Sequence, residues 1–324
     1  MTMGTRFSVG FFQSGPIQET IRLARLAESL GFDALWLNDA QCRWRDVHVS
    51  LAAIGVSTSR ILLGPSVTNA VTRHLTVTAA AMYSLHELTG GRARMGIGIG
   101  DAAVKDIGRQ RTRISDLSHA IQNIRALWAG KEAAIEGETP RLLYAVNSPR
   151  SIPVYVAASG PKLVRSAAEI ADGLILNVGV EPRYIQSALA NIEDPARRDR
   201  SEIVVRIPTC ISEEPDARRY VRSRVGVFLV NRTPTGLDDK DLHAVEKIRA
   251  AHDPQEHLQL NAAYAHYVTD SLVDKFALAG RPEECLERVR ALVNFGVNEL
   301  NLTFMHPDTE NLLRTFVRGI LEKL

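Results

Sequence analysis

Residues 152–177, IPVYVAASGPKLVRSAAEIADGLILN, read as strand, helix, strand. The run 152–157 is apolar, as a strand buried on both faces should be. Ala158, Ser159 and Gly160 end it, and Pro161 suits the first turn of a helix over 161–171. Residues 173–177 form the next apolar run. The same beat continues outward. Upstream, strands are expected at 6–12, 33–39, 61–67 and 92–99, with helices over 17–30, 46–58, 74–88 and 114–129. Downstream, helices are expected at 182–192, 215–230, 282–295 and 309–321, and strands at 202–211 and 298–304. Residues 130–146 carry Gly137 and Pro140 and read as a loop or hairpin excursion. Residues 231–270 have no strand period and read as an insertion. Strict alternation implies a parallel sheet with right-handed crossovers. Eight strands in 324 residues favour an α/β fold closed into a TIM-like (β/α)8 barrel, a single domain over 1–324.

Composition excludes several classes. Hydrophobic residues make up 45% and charged residues 23%, which is globular rather than disordered or fibrous. Lys and Arg number 39 against 37 Asp and Glu, a net charge of +2, which leaves no footprint for nucleic acid. No apolar stretch reaches the ~18 residues of a membrane helix, and residues 1–15 read as a first strand rather than a signal peptide. Cys42, Cys210 and Cys285 are widely spaced, as free thiols in a cytoplasmic protein would be.

In such a barrel the chemistry sits at the C-terminal ends of the strands. That rule selects Gln13, Asp39, Ser66 to Asn69, Gly98 to Asp101, Ala158 to Gly160, Asn177 to Gly179, and His306. Asp39 and Asp101 are candidate acids or bases, with turn capping as the competing reading. Ser159 and Gly160 lead into a helix and are a candidate anion site, with a plain N-capped turn as the alternative. Asn177 and Gly179 form a second small-residue strand end. Gly96, Gly98 and Gly100 either let a flat ligand approach or permit close strand packing. His74 fits a helix cap better than a catalytic group. His243, His252, His257 and His266 share the insertion, but without metal-ligand spacing. No GxSxG elbow or P-loop is present.

The motifs together resemble the bacterial luciferase-like superfamily. Leu63-Gly64-Pro65-Ser66-Val67-Thr68-Asn69 followed by Thr72-Arg73-His74 is similar to its third-strand segment. Leu88-Thr89-Gly90-Gly91-Arg92 with Gly96-Ile97-Gly98-Ile99-Gly100-Asp101 resembles its fourth. Val154 to Lys162 with Ala168 to Gly173 resembles the fifth and sixth units. Gly100-Asp101-Ala102-Ala103-Val104 points to the branch of methylenetetrahydromethanopterin reductase. The resemblance implies a homodimer binding FMN or the deazaflavin F420 across the barrel mouth. It implies a non-prolyl cis peptide at Ser66-Val67 and phosphate contacts at Ser159 and Gly160, and at Gly179. Asp39, Asn69, Gly100 and Asp101 fall near the expected ring contacts, and Ser66, Val67, Gly98, Ala158 and Asn177 complete the cofactor set. The implied activity is F420-dependent hydride transfer. The alternatives are FMNH2-dependent monooxygenation with a partner reductase, under a lid from 231–270, a non-catalytic flavin carrier, and a sugar-phosphate lyase or isomerase barrel. No strand end offers a Schiff-base Lys for the last. The acid at Asp39 is followed by Ala40, where many relatives carry His.

Overall fold

The computed structural model describes residues 4–230, 232–234, 236–256 and 259–324. Two compact units are present. The larger comprises Arg6–Leu176 with Leu189–Val204, and the smaller comprises Asn177–Ala188 with Val205–Leu324 and the residues preceding Arg6.

The larger unit carries β1 (Arg6–Phe11), β2 (Ala34–Leu37), β3 (Leu62–Pro65), β4 (Thr68–Asn69), β5 (Met95–Gly98), β6 (Val154–Ala158) and β7 (Gly173–Leu176). β1, β2 and β3 pair in parallel, as do β4, β5, β6 and β7, and Leu63 bridges in parallel to Ala93 to join the two sets. The expected third strand is thus divided into β3 and β4, at a non-prolyl cis peptide between Ser66 and Val67. All four residues of β2 are buried, which is why its sequence is apolar without alternation. Trp36, Tyr155, Ile175 and Val204 form one core cluster, with Val67 and Ala157 packed on it. The Arg94 guanidinium lies 4.4 Å from the Trp36 ring and 5.0 Å from that of Tyr155.

Two of the quoted motifs have a structural explanation. Gly90 and Gly91 adopt left-handed backbone after the helix Leu75–Leu88, and Arg92 then donates to Gly55 O, Thr58 O and Ile61 O. Its charge thereby serves the carbonyl end of the helix Val47–Gly55. Asp172 accepts from Val154 N at 2.8 Å and from Arg125 Nη2 at 2.7 Å, which locks the start of β6 to the turn before β7. The excursion at 130–146 contains a tight antiparallel turn, with Ile135 bridging Glu138 across Glu136 and Gly137, both at positive φ.

The smaller unit carries β8 (Glu202–Ile211) from Val205 onward, β9 (Leu278–Gly280) parallel to it, and β10 (Glu299–Phe304). The Met305 amide bonds Thr209 O, joining the chain after β10 to β8. β9 was not anticipated, because three residues are too few to show a period. Within the expected insertion, Asp239–Ala250 is a helix and Ala263–Tyr267 a 3-10 turn. Asn231, Thr235, His257 and Leu258 of that segment lie outside the described residues. Cys210 and Cys285 are buried, and burial pushes their thiols up to about 12 and about 11.

Candidate active site

The strand ends of the larger unit are stitched together by side chains. At the end of β1, Gln13 Nε2 donates weakly to Asn38 O and Arg45 O. The Gln13 Oε1 is buried with no hydrogen-bond partner among the described residues. Asn38 Nδ2 returns a bond to Phe11 O. Phe12 packs on half-buried Trp44, with ring centroids 5.2 Å apart. Gln41 reaches Ala103 O at 2.9 Å, and Arg43 forks onto Asp106, so the loops after β2 and β5 are joined.

Asp39 and Asp101 have different environments. The side chain of Asp39 is 1% exposed and takes both guanidinium nitrogens of Arg73, at 2.6 and 3.1 Å. Arg73 also reaches Asp46 at 3.1 Å, and Asp46 in turn caps the helix that carries His48. Burial depresses the His48 pKa and the Arg73 charge adds to this, while Asp39 and Asp46 oppose it. Asp101, on the loop after β5, is about half exposed and pairs with Lys105 at 2.9 Å and with Arg111. Burial pushes its carboxyl up, but the hydrogen bonds and charges of Lys105 and Arg111 outweigh it and leave the pKa below the ordinary value.

The strand-three end is defined by close approach. A methyl group at Gly96 would lie 2.4 Å from Pro65 O, and one at Gly98 would lie 3.1 Å from Val67 Cγ2. At Gly100, φ is +86° and a methyl would meet Val104 Cγ2 at 2.4 Å. The glycines at 96, 98 and 100 are therefore accounted for by backbone packing. Ser66 is 2% exposed and its amide bonds Leu37 O. Asn69 accepts through Oδ1 from Val71 N and Thr72 N, both at 2.9 Å, so its carbonyl shapes the turn. His74 caps the helix Leu75–Leu88 through Thr76 N, as its position suggested. Ala158 is buried, Ser159 half-buried and Gly160 exposed. Gly160 precedes the helix Pro161–Ile170, which has no side-chain cap, and open space surrounds its α-carbon.

Asn177 and Gly179 lie in the smaller unit. The Asn177 carbonyl accepts from Arg232, and Gly179 has φ +120° with Lys275 O 2.9 Å from where a methyl would stand. At the end of β10, His306 Nδ1 accepts from Asp308 N, and its ring meets Tyr220 edge-on at 4.2 Å. Arg73, Arg111 and Gln13 are the residues whose roles the sequence did not disclose. Among the described residues, no group of three or more His, Cys, Asp or Glu could hold a metal ion, and no helix is long and apolar enough to cross a membrane.

Parallel strands with crossover helices, and polar and small residues gathered at their C-terminal ends, define an α/β barrel scaffold. Coenzyme F420 dependent tetrahydromethanopterin reductase from Methanopyrus kandleri has the same fold, with a TM-score of 0.77 over 99% of each chain at 22% identity. The model of the luciferase-like monooxygenase family matches residues 3–299, and the chain belongs to that family. It is 30% identical to 5,10-methylenetetrahydromethanopterin reductase of Methanolobus tindarius over 91% of this chain and 92% of that one. It is 28% identical to F420-dependent glucose-6-phosphate dehydrogenase of Microbacterium testaceum (strain StLB037), over 100% and 98%.

Proposed function

We propose that the protein is an F420-dependent oxidoreductase that transfers a hydride to or from a small organic substrate. The end-to-end match to an F420-linked reductase, 30% identical over 91% of the chain, carries this reading. Two features of the larger unit fit the cofactor. The uncapped amino end at Gly160 offers free N–H groups to a phosphate, with the helix dipole behind them. The buried, unpartnered Gln13 Oε1 suits a ring N–H.

F420, when bound, supplies two-electron hydride chemistry, and the protein contributes orientation and charge. Ser159 and Gly160 are assigned to the phosphate. Val67, held against Gly96 and Gly98, forms a wall for the ring, and Ser66, Asn69, Gly100 and Ala158 hold that wall in place. Asp101 is the catalytic candidate. Held anionic by Lys105 and Arg111, it accepts a hydrogen bond from a substrate hydroxyl in the oxidising direction. Asp39 acts through Arg73 as a positioning anion. Asn177 and Gly179 are proposed as further phosphate contacts.

The family's description favours a second reading, FMNH2-dependent monooxygenation served by a partner reductase. Titration of the purified chain with F420 and FMN separates the two. Quenching by F420 at micromolar concentration, without FMN binding, is expected. Tight binding of FMN alone would replace hydride transfer with oxygen chemistry, and binding without turnover would leave a flavin carrier. We also propose a cytoplasmic homodimer. Val49, Val56 and Val77, each more than half exposed on the helices Val47–Gly55 and Leu75–Leu88 or next to them, support its interface. Light scattering at twice the 35.7 kDa chain mass is the expected result.

A further inference from the structure

The larger unit holds a cavity of about 800 Å3 beside the strand ends. Its walls are the loop at 70–75, the arm at 110–113, the helix Ile114–Trp128 and the tight turn at 134–136. Arg73, Arg111 and Arg113 face it against only Asp116 and Glu136, and His74 and His119 join them. Val71, Leu75, Ala120 and Ile135 give it an apolar floor.

Two of the three guanidinium groups can change partner. Asp101 already has Lys105 at 2.9 Å, so Arg111 can leave it without stranding the carboxylate. Arg113 pairs with Asp116 with side chains 82% and 44% exposed. Such a pair is screened by water and exchanges readily. His119 is exposed, and no hydrogen bond engages its side chain among the described residues. Arg73 is different, since Asp39 and Asp46 hold it fast.

We infer that this cavity binds an elongated polyacid, with carboxylates spaced along an aliphatic chain. Guanidinium forks match carboxylates two bonds at a time. The apolar floor accommodates methylene groups between the acids. The volume is that of an organic ligand, since a single ion would leave most of it empty. Two sources share this chemistry. One is the oligo-γ-glutamyl tail of a deazaflavin cofactor, which rests on the F420 reading above. The other is a substrate with an acidic arm, which does not.

The test uses the full chain and three probes: γ-linked tetraglutamate, F420, and the deazaflavin riboside that lacks the phosphate and tail. Tetraglutamate is expected to bind at low salt, by calorimetry, and to shift the ring resonances of His74 and His119. Arg113→Glu weakens that binding at least tenfold, and His119→Ala weakens it less. F420 binds at least tenfold more tightly than the riboside, and Arg113→Glu narrows that gap while leaving riboside affinity unchanged. If the peptide binds but Arg113→Glu leaves the gap intact, the acidic arm is the substrate's and the cavity assignment stands. If neither deazaflavin binds while the peptide still shifts both histidines, the F420 reading fails and the cavity assignment stands. If the peptide shifts neither histidine and Arg113→Glu alters no affinity, the assignment is overturned, whichever cofactor the enzyme uses.

Discussion

The ends of the second and fourth strands of the barrel each present an aspartate to a basic loop, yet the two regions are built on opposite terms. Asp39 is sealed from water and clamped by both nitrogens of Arg73, which is itself divided with Asp46. Asp101 is half exposed and has two cations, neither of which it needs alone. A buried, singly compensated charge is costly to disturb, whereas an exposed one with a spare partner can be rearranged by a ligand. The first region is therefore scaffold and the second is where chemistry can occur.

The most direct way to break this comparison is Arg73→Ala. It leaves Asp39 buried without its cation and is expected to cost about 3–5 kcal/mol in urea unfolding. Arg73→Ala combined with Asp39→Asn should recover much of the loss, since the stranded charge is then gone. A cost for the single variant below about 1 kcal/mol would place Asp39 in the same class as Asp101.

Asp101→Asn should do the reverse. Its stability cost is expected to stay below about 1 kcal/mol, as for exposed ion pairs. Turnover should fall by about 100-fold, the lower end of what a positioned proton-transfer group contributes. Full activity in Asp101→Asn would remove it from the mechanism. Between them lies the wall at Val67. Gly96→Ala forces a methyl toward Pro65 O and should cost about 1–3 kcal/mol, with weaker cofactor binding. Unchanged stability there would mean that Gly96 is kept for ligand approach, not for packing.

What the sequence disclosed follows the range of the interactions. Apolar runs and helix signals are local, so seven of the eight expected strands appear as single strands, and His74 is the cap it was expected to be. The exception is strand three, where the resemblance located the cis peptide at Ser66-Val67 that splits it. The Arg73–Asp39 clamp joins residues 34 apart on different strand ends, and nothing in either neighbourhood names the other. Arg111 returns to Asp101 from ten residues away, over an arm whose path no periodicity sets. Asn69 looked like a ligand contact, yet its carbonyl is bonded to two backbone amides of its own turn. The helix Asp239–Ala250 escaped notice because it buries few residues, and those are spread through a highly charged segment.

The smallest expected effect is also the one that separates the two regions most cleanly, because each should lose stability in its own pH range. His48 has a folded pKa below its unfolded value near 6.5, because burial and Arg73 disfavour its charged form. Below that value the unfolded chain binds the proton and the folded chain does not, so stability falls as pH drops from about 6.5. Asp101 also has a lowered folded pKa, but its unfolded value lies near 3.8. Its contribution is intact above that value and is lost only as pH falls through the folded pKa. Urea unfolding of the full chain between pH 7 and 5 should therefore show a slope that His48→Gln removes and Asp101→Asn leaves in place. A slope in this range that survives His48→Gln would mean that Arg73 does not hold the imidazole neutral. The strand-two end would then be as adaptable to charge as the strand-four end.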